Sequence, residues 1–127
     1  MKILTLRQIL LLHEAMIEKH GGSSGIRDRG MFESAIHRPF ATFAGADLYP
    51  DIYLKAAALV QSIVKNHPFV DGNKRTAFVS AFMFLKKNGI DLIVEKAAGV
   101  KFVLNVANEN LSVDEISLWL KKHSKKI

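Results

Sequence analysis

The sequence predicts an all-α fold, a bundle of about six helices around a central antiparallel pair. Two long segments, Asp51–Asn66 and Lys74–Asn88, carry apolar residues over most or all of their circumference, and such helices have to be buried among others. Two capping boxes, Thr5-Leu6-Arg7-Gln8 and Ser112-Val113-Asp114-Glu115, mark helix starts near either end. Hydrophobic residues make up 49% of the 127 positions, which suits one domain over residues 1–127 with a substantial core.

From Thr5 the first helix is expected to run to about His20 and stop at Gly21-Gly22. Its apolar residues Leu6, Ile9, Leu10, Leu12, Met16 and Ile17 recur at helical spacing. His13 and His20 lie on it and read as surface or internally satisfied histidines, since neither has a partner at metal-ligand spacing. Residues 21–27 form a glycine- and serine-rich turn. Asp28 caps a short helix through Phe32 and Ile36 that Pro39 ends from beyond. Arg27 and Arg29 beside the cap are expected to be solvated. Arg38–Pro50 has no helical period but carries Phe40, Phe43 and Tyr49. A loop of this length either serves a function or lets its aromatics close the core, and both readings stay open.

The central pair follows, its second helix stopped by Asn88-Gly89. Ile90–Glu95 reads as a short extended piece and Lys96–Asn108 as a helix. The last helix, opened by Ser112, turns Ile116, Trp119 and Leu120 towards the core.

Between the central helices lies His67-Pro68-Phe69-Val70-Asp71-Gly72-Asn73-Lys74-Arg75-Thr76, a polar stretch feeding directly into a helix start. The first N–H groups of a helix lack internal partners, and the peptide dipoles favour an anion there. Lys74 and Arg75 put two cations where helix stability alone would favour acids, and a broken local rule marks a functional site. Histidine is the residue type suited to general-base work, which assigns His67. Asp71 is a hard oxygen ligand of the kind Mg²⁺ accepts when phosphate and water fill its other positions. Gly72 lets the backbone approach a phosphate, and Asn73, Lys74 and Arg75 can donate to its oxygens. Phe69 is expected to point inward and pin the loop.

The formal net charge is +6, which raises nucleic acid as a partner. The cations do not form one band, however, and no aromatics alternate with Lys121-Lys122 and Lys125-Lys126, so the tail reads as solvated charge. The absence of cysteine excludes disulfides and thiolate metal sites and fits a reducing cytoplasm. With no leader pattern at the N-terminus and no run of eighteen apolar residues, a soluble cytoplasmic protein with no membrane partner is expected.

The polar stretch resembles the signature of the Fic/Doc family, whose Fic branch carries H-P-F-x-[DE]-G-N-G-R-x-x-R. The match runs through His67, Pro68, Phe69, Asp71, Gly72, Asn73 and Arg75. Lys74 replaces the second glycine and Phe78 the last arginine, and both departures look like the Doc (death on curing) branch, the toxin half of toxin–antitoxin pairs. Further likeness lies in Gly21-Gly22, Gly25-Ile26-Arg27-Asp28, Tyr49-Pro50 and Lys55-Ala56-Ala57.

The resemblance implies a Fic-like bundle that moves the γ-phosphate of ATP, with Mg²⁺, onto a threonine of elongation factor Tu and so arrests translation. It implies that His67 deprotonates the acceptor, Asp71 holds Mg²⁺, and Gly72, Asn73, Lys74 and Arg75 cradle phosphates. Residues 38–50 would then be a flap that aligns the target, and a cognate antitoxin would block the groove. Two alternatives stand beside this: AMP transfer as in the Fic branch, and a non-catalytic basic module. A binding module would have no use for His67, and an acid at 71 would repel a polyanion.

Overall fold

A computed structural model describes residues 1–127. It contains six helices: α1 Leu6–His20, α2 Arg29–His37, α3 Ile52–Asn66, α4 Asn73–Lys87, α5 Lys96–Asn108 and α6 Val113–Lys122. The all-α expectation holds, with two small antiparallel pairs added: β1 Thr42–Phe43 with β2 Ala46–Asp47, and β3 Ile90–Leu92 with β4 Ser124–Lys126. No helix is long and apolar enough to cross a membrane.

Local chemistry explains the helix boundaries. Thr5 Oγ1 accepts from the Gln8 N–H at 3.1 Å while Gln8 Oε1 accepts from the Thr5 N–H at 2.9 Å. Ser112 and Glu115 repeat the arrangement on α6. Asp28 and Asp51 cap α2 and α3 through the N–H groups of Met31 and Leu54.

Helix α3 is the axis of the core. Every residue from Lys55 to Val64 is buried, and α3 packs against α2, α4, α5 and α6. Helix α4 returns along it as the second half of a helical hairpin. It differs from the expectation of burial on all sides. Asn73, Thr76, Ala77, Ser80, Ala81, Phe84 and Leu85 form a buried face, whereas Phe78, Val79, Phe82 and Met83 are only half-buried. On that half-open side α4 meets α5, where Phe78 packs edge-on against Phe102.

The 38–50 segment folds in a way its aperiodic sequence does not announce. After a 3₁₀ turn over Arg38–Phe40, Thr42 pairs with Asp47 and Phe43 with Ala46. Ala44 and Gly45 both take positive φ, 52° and 81°, as a tight primed hairpin turn requires. The aromatics divide between the two open readings. Phe40 packs on the core against Phe84, Phe43 stands 74% exposed on the hairpin, and the Tyr49 hydroxyl accepts from Arg38 Nε at 3.1 Å.

The C-terminal lysines are exposed as expected, but the backbone beneath them is ordered. Ser124–Lys126 pairs with Leu92–Ile90, and the Ile127 N–H donates to the Gly89 carbonyl at 2.9 Å.

Candidate active site

The loop 67–72 joins α3 to α4 and is held from two directions. Its outer edge is zipped to the turn before α2. The N–H groups of Arg27 and Asp28 both donate to the Pro68 carbonyl, and the Val70 N–H donates to the Gly25 carbonyl. Arg27, expected to be solvated, instead places its guanidinium on the end of α3, donating to the carbonyls of Asn66 and His67.

His67 leaves the helix in the left-handed region, φ 51° and ψ 53°, rather than in the extended region that a following proline usually imposes. In this conformation the carbonyls of Asn66 and His67 both face the Arg27 guanidinium. The exposed imidazole makes no hydrogen bond within the chain and lines a groove of about 480 Å³.

The underside of the loop is a clip. Phe69 is fully buried, as expected, stacked on His13 and beside Phe32. The Asn73 side chain holds it: its Oδ1 accepts from the Phe69 N–H at 2.9 Å and its Nδ2 donates to the Phe69 carbonyl at 3.0 Å. Asn73 is therefore placed otherwise than the sequence suggests. Its amide is buried and fully engaged, and what it can offer an anion is its backbone N–H.

Gly72 caps α4 at φ 75° with no side-chain bond to the helix start, and the backbone N–H groups of Asn73, Lys74 and Arg75 have no partner in the protein. A Cβ at Gly72 would lie 3.1 Å from Ile17 Cδ1 and in a left-handed conformation, so glycine suits the position on both counts. Lys74 and Arg75 are exposed and line the groove beside these N–H groups.

Asp71 also lines the groove. Its Oδ1 accepts from the Gly72 N–H at 2.9 Å and its Oδ2 from the Ser23 N–H at 3.3 Å. No group of three or more His, Cys, Asp or Glu residues could hold a metal by itself. One carboxylate beside free N–H groups and cations fits Mg²⁺ only when phosphate and water complete its shell.

Two residues that the sequence reading left aside complete the picture. His20 and Lys96 line the same groove as Lys74 and Arg75. Desolvation, and then the charges of Arg75, Lys19 and Lys96, hold the His20 pKa below its ordinary value. Phe78, Val94, Val100, Val103 and Leu104 add apolar lining, with Glu95 among them. The groove thus combines a cationic floor at a helix start with apolar lining, a shape and chemistry for a ligand with both phosphates and a flat apolar part. The expectation for His13 is a surface or internally satisfied histidine, and the surface half of it fails. His13 is fully buried, and its Nε2 lies 2.8 Å from the Asp71 carbonyl oxygen.

The signature residues, the fold and this groove together define a class, and the chain belongs to the Fic/DOC family, whose model matches residues 3–85. Two curated relatives carry the Doc name, which puts the chain in the Doc branch. "Toxin Doc" of Mycolicibacterium smegmatis is 49% identical over 75 residues, covering 59% of this chain and 58% of that protein. "Protein kinase doc" of Escherichia phage P1 is 33% identical over 117 residues, covering 85% of this chain and 92% of that protein. The chain therefore matches somewhat over half the length of the first and nearly all of the second.

Proposed function

We propose that this protein is the toxin of a toxin–antitoxin pair and transfers the γ-phosphate of ATP to a hydroxyl of another protein, with a threonine of elongation factor Tu as the acceptor. One observation carries the reading: the unpartnered His67 imidazole opens into the same groove as three partnerless helix N–H groups, Lys74 and Arg75. A relative named a protein kinase and another named a toxin support it.

In this reaction His67 takes the proton of the acceptor hydroxyl. The oxygen then bonds to the γ-phosphorus, the bond to the β-phosphate oxygen breaks, and ADP leaves. The N–H groups of Asn73, Lys74 and Arg75, with the two side-chain cations, stabilise charge on the transferring phosphoryl group. Asp71 is the residue that would hold Mg²⁺, which supplies charge neutralisation between phosphates when bound. The 42–47 hairpin is the flap beside which the acceptor segment lies, and a cognate antitoxin covering the groove would silence the protein.

Phe78 supports this direction of the nucleotide. In Fic-type AMP transfer an arginine at this position and a glycine at position 74 hold the inner phosphates. Here Phe78 offers no donor and is packed so closely on α5 that a Cβ at Gly99 would lie 3.2 Å from its Cζ.

The test uses ATP labelled at either the α- or the γ-phosphate, incubated with the protein, Mg²⁺ and a bacterial lysate. The γ label is expected on one abundant acceptor, and His67→Ala is expected to lower its transfer about 10²- to 10⁴-fold without altering the melting curve. Transfer of the α label would make the protein an AMP transferase. Transfer of neither, with tight partner binding, would leave a non-catalytic module.

A further inference from the structure

We propose that His13 is a positioning residue: with Gly22 and Ser23 it forms a seat on and just after α1 that sets the Asp71 carboxylate and the turn at Gly72. A carbonyl oxygen only accepts, so the 2.8 Å contact from His13 Nε2 to the Asp71 carbonyl fixes the proton on Nε2. The ring lies flat under Phe69, 3.8 Å between centroids and 8° from parallel. One ring therefore grips two residues of the loop.

The second ring nitrogen shows that this is not simple packing. Nδ1 is buried with no hydrogen-bond partner, its nearest acid, Glu14 Oε1, being 3.9 Å away. Leaving a buried polar atom unpaired is destabilising, and a phenylalanine or leucine would fill the same space without that cost. What the histidine adds is the Nε2 donor, and that donor goes to Asp71.

The turn after α1 completes the seat. Ser23 donates its N–H to Asp71 Oδ2 at 3.3 Å, and Gly22 allows the approach, since a methyl there would sit 2.5 Å from the same oxygen. Asp71 is thus held at its carbonyl by residue 13 and at its carboxylate by residue 23. The turn at Gly72 is held with it, because the Gly72 N–H donates to the other carboxylate oxygen.

This inference rests on the assignment of Asp71 to the phosphate and Mg²⁺ site. Two readouts separate it from that assignment: amide hydrogen exchange at Gly72 in the protein alone, and the Mg²⁺ midpoint of γ-phosphate transfer. His13→Phe keeps the stacked ring and removes the donor, whereas His13→Gln restores a donor near the Nε2 position. The phenylalanine variant is expected to speed Gly72 exchange roughly five- to tenfold, the scale of one lost hydrogen bond. It is also expected to raise the Mg²⁺ midpoint about 10- to 100-fold, as loss of a group that orients a ligand does. The glutamine variant is expected to fall between it and the wild type in both.

Gly22→Ala, in an exposed turn but at φ 114° where alanine is strained, is the second variant, with a raised midpoint and a lowered but still cooperative melt expected. If His13→Phe does not fold, Gly22→Ala decides. An unchanged midpoint in either folded variant, or unchanged Gly72 exchange in His13→Phe, overturns the proposal. If the wild type transfers no phosphate, the proposed function has failed instead, and Gly72 exchange alone decides whether His13 positions the loop.

Discussion

The Arg27 guanidinium closes the end of the helix that presents His67, with Nε 2.6 Å from the His67 carbonyl oxygen and Nη2 2.9 Å from that of Asn66. A cation over the last carbonyls of a helix satisfies acceptors that have no internal partner and complements the dipole. Because Arg27 is exposed, Arg27→Ala is expected to cost only about 1 kcal/mol of stability, measured by denaturant midpoint. Its larger effect is on His67: kcat is expected to fall about tenfold or more while KM for ATP stays put. Lysine is not expected to restore it, since an ammonium cannot reproduce the planar fork. Full activity in Arg27→Ala would show that the left-handed exit at His67 holds without its clamp.

Asn73→Ala removes both halves of the clip on Phe69. The Phe69 N–H and carbonyl are then buried without partners, at about 1–3 kcal/mol each, so a loss of about 2–6 kcal/mol is expected in chemical denaturation. Asp at this position keeps the acceptor and loses the donor, and sets a carboxylate against the Phe69 carbonyl. It is not expected to rescue. A loss under about 1 kcal/mol would mean that water replaces the amide, and with it that the loop is less closed than its geometry indicates.

His20 links the groove to pH. Desolvation first, and then Arg75, Lys19 and Lys96, keep its pKa below the ordinary 6.5, so the neutral ring is favoured more than in a free histidine. The unfolded chain therefore binds this proton more readily than the folded one. The associated stability is fully present above pH 6.5 and is lost as pH falls through the folded-state value. A polyphosphate in the groove reverses the local field and raises the pKa, so binding takes up protons and tightens as pH drops below neutrality. Titration of the His20 ring by NMR, with and without pyrophosphate, is expected to show the upward shift. A midpoint that saturating pyrophosphate leaves unmoved would place the anion away from His20.

Lys55 is buried on α3, 4% exposed, and its ammonium ties down the flap. It donates to the Tyr49 carbonyl at 2.6 Å, to Asp47 Oδ2 at 3.2 Å and to the Pro39 carbonyl at 3.4 Å. Lys55→Met keeps the volume but leaves those acceptors bare. Proteolysis within 42–47 is expected to accelerate, and KM for the protein acceptor is expected to rise more than KM for ATP. Equal protease resistance in the two proteins would mean that Arg38, through Tyr49, Gln61 and Ser62, holds the flap unaided.

The helix starts were legible because their signals are local. Thr5 with Gln8, Asp28, Asp51 and Ser112 with Glu115 each act within three residues, and sequence neighbours are spatial neighbours there. The signature loop was legible as a cluster of residue types, since no core packing calls for His, Asp, Gly and two cations together at a helix start.

What lay outside the sequence reading depends on distant partners. The His13–Asp71 contact spans 58 positions, and nothing near residue 13 announces it. Asn73 looks like a phosphate donor in a basic loop, yet the return of the chain at Phe69 draws it inward. The flap turn uses Ala44-Gly45 where Asn-Gly would have signalled a hairpin. Strand β4 has no apolar alternation, and backbone pairing alone holds Ser-Lys-Lys against β3. For α4, periodicity marked a helix rich in aromatics but could not say that Phe78 would border a groove.

The seat under Asp71 also sets an order of assembly. The α3–α4 hairpin joins neighbours in the chain across a six-residue loop, whereas the bonds that shape the loop reach back to residues 13, 23, 25 and 27. Closing such long separations costs chain entropy before any contact rewards it. The central hairpin can therefore form first with only the local Asn73–Phe69 clip in its loop, and the rest of the constellation around His67 arises when α1 and the turn after it dock. A chain caught midway in folding would have most of its helices and none of its chemistry. Pulse-labelled exchange would show the α3 and α4 amides protected before that of Gly72, and simultaneous protection would contradict this sequence of events.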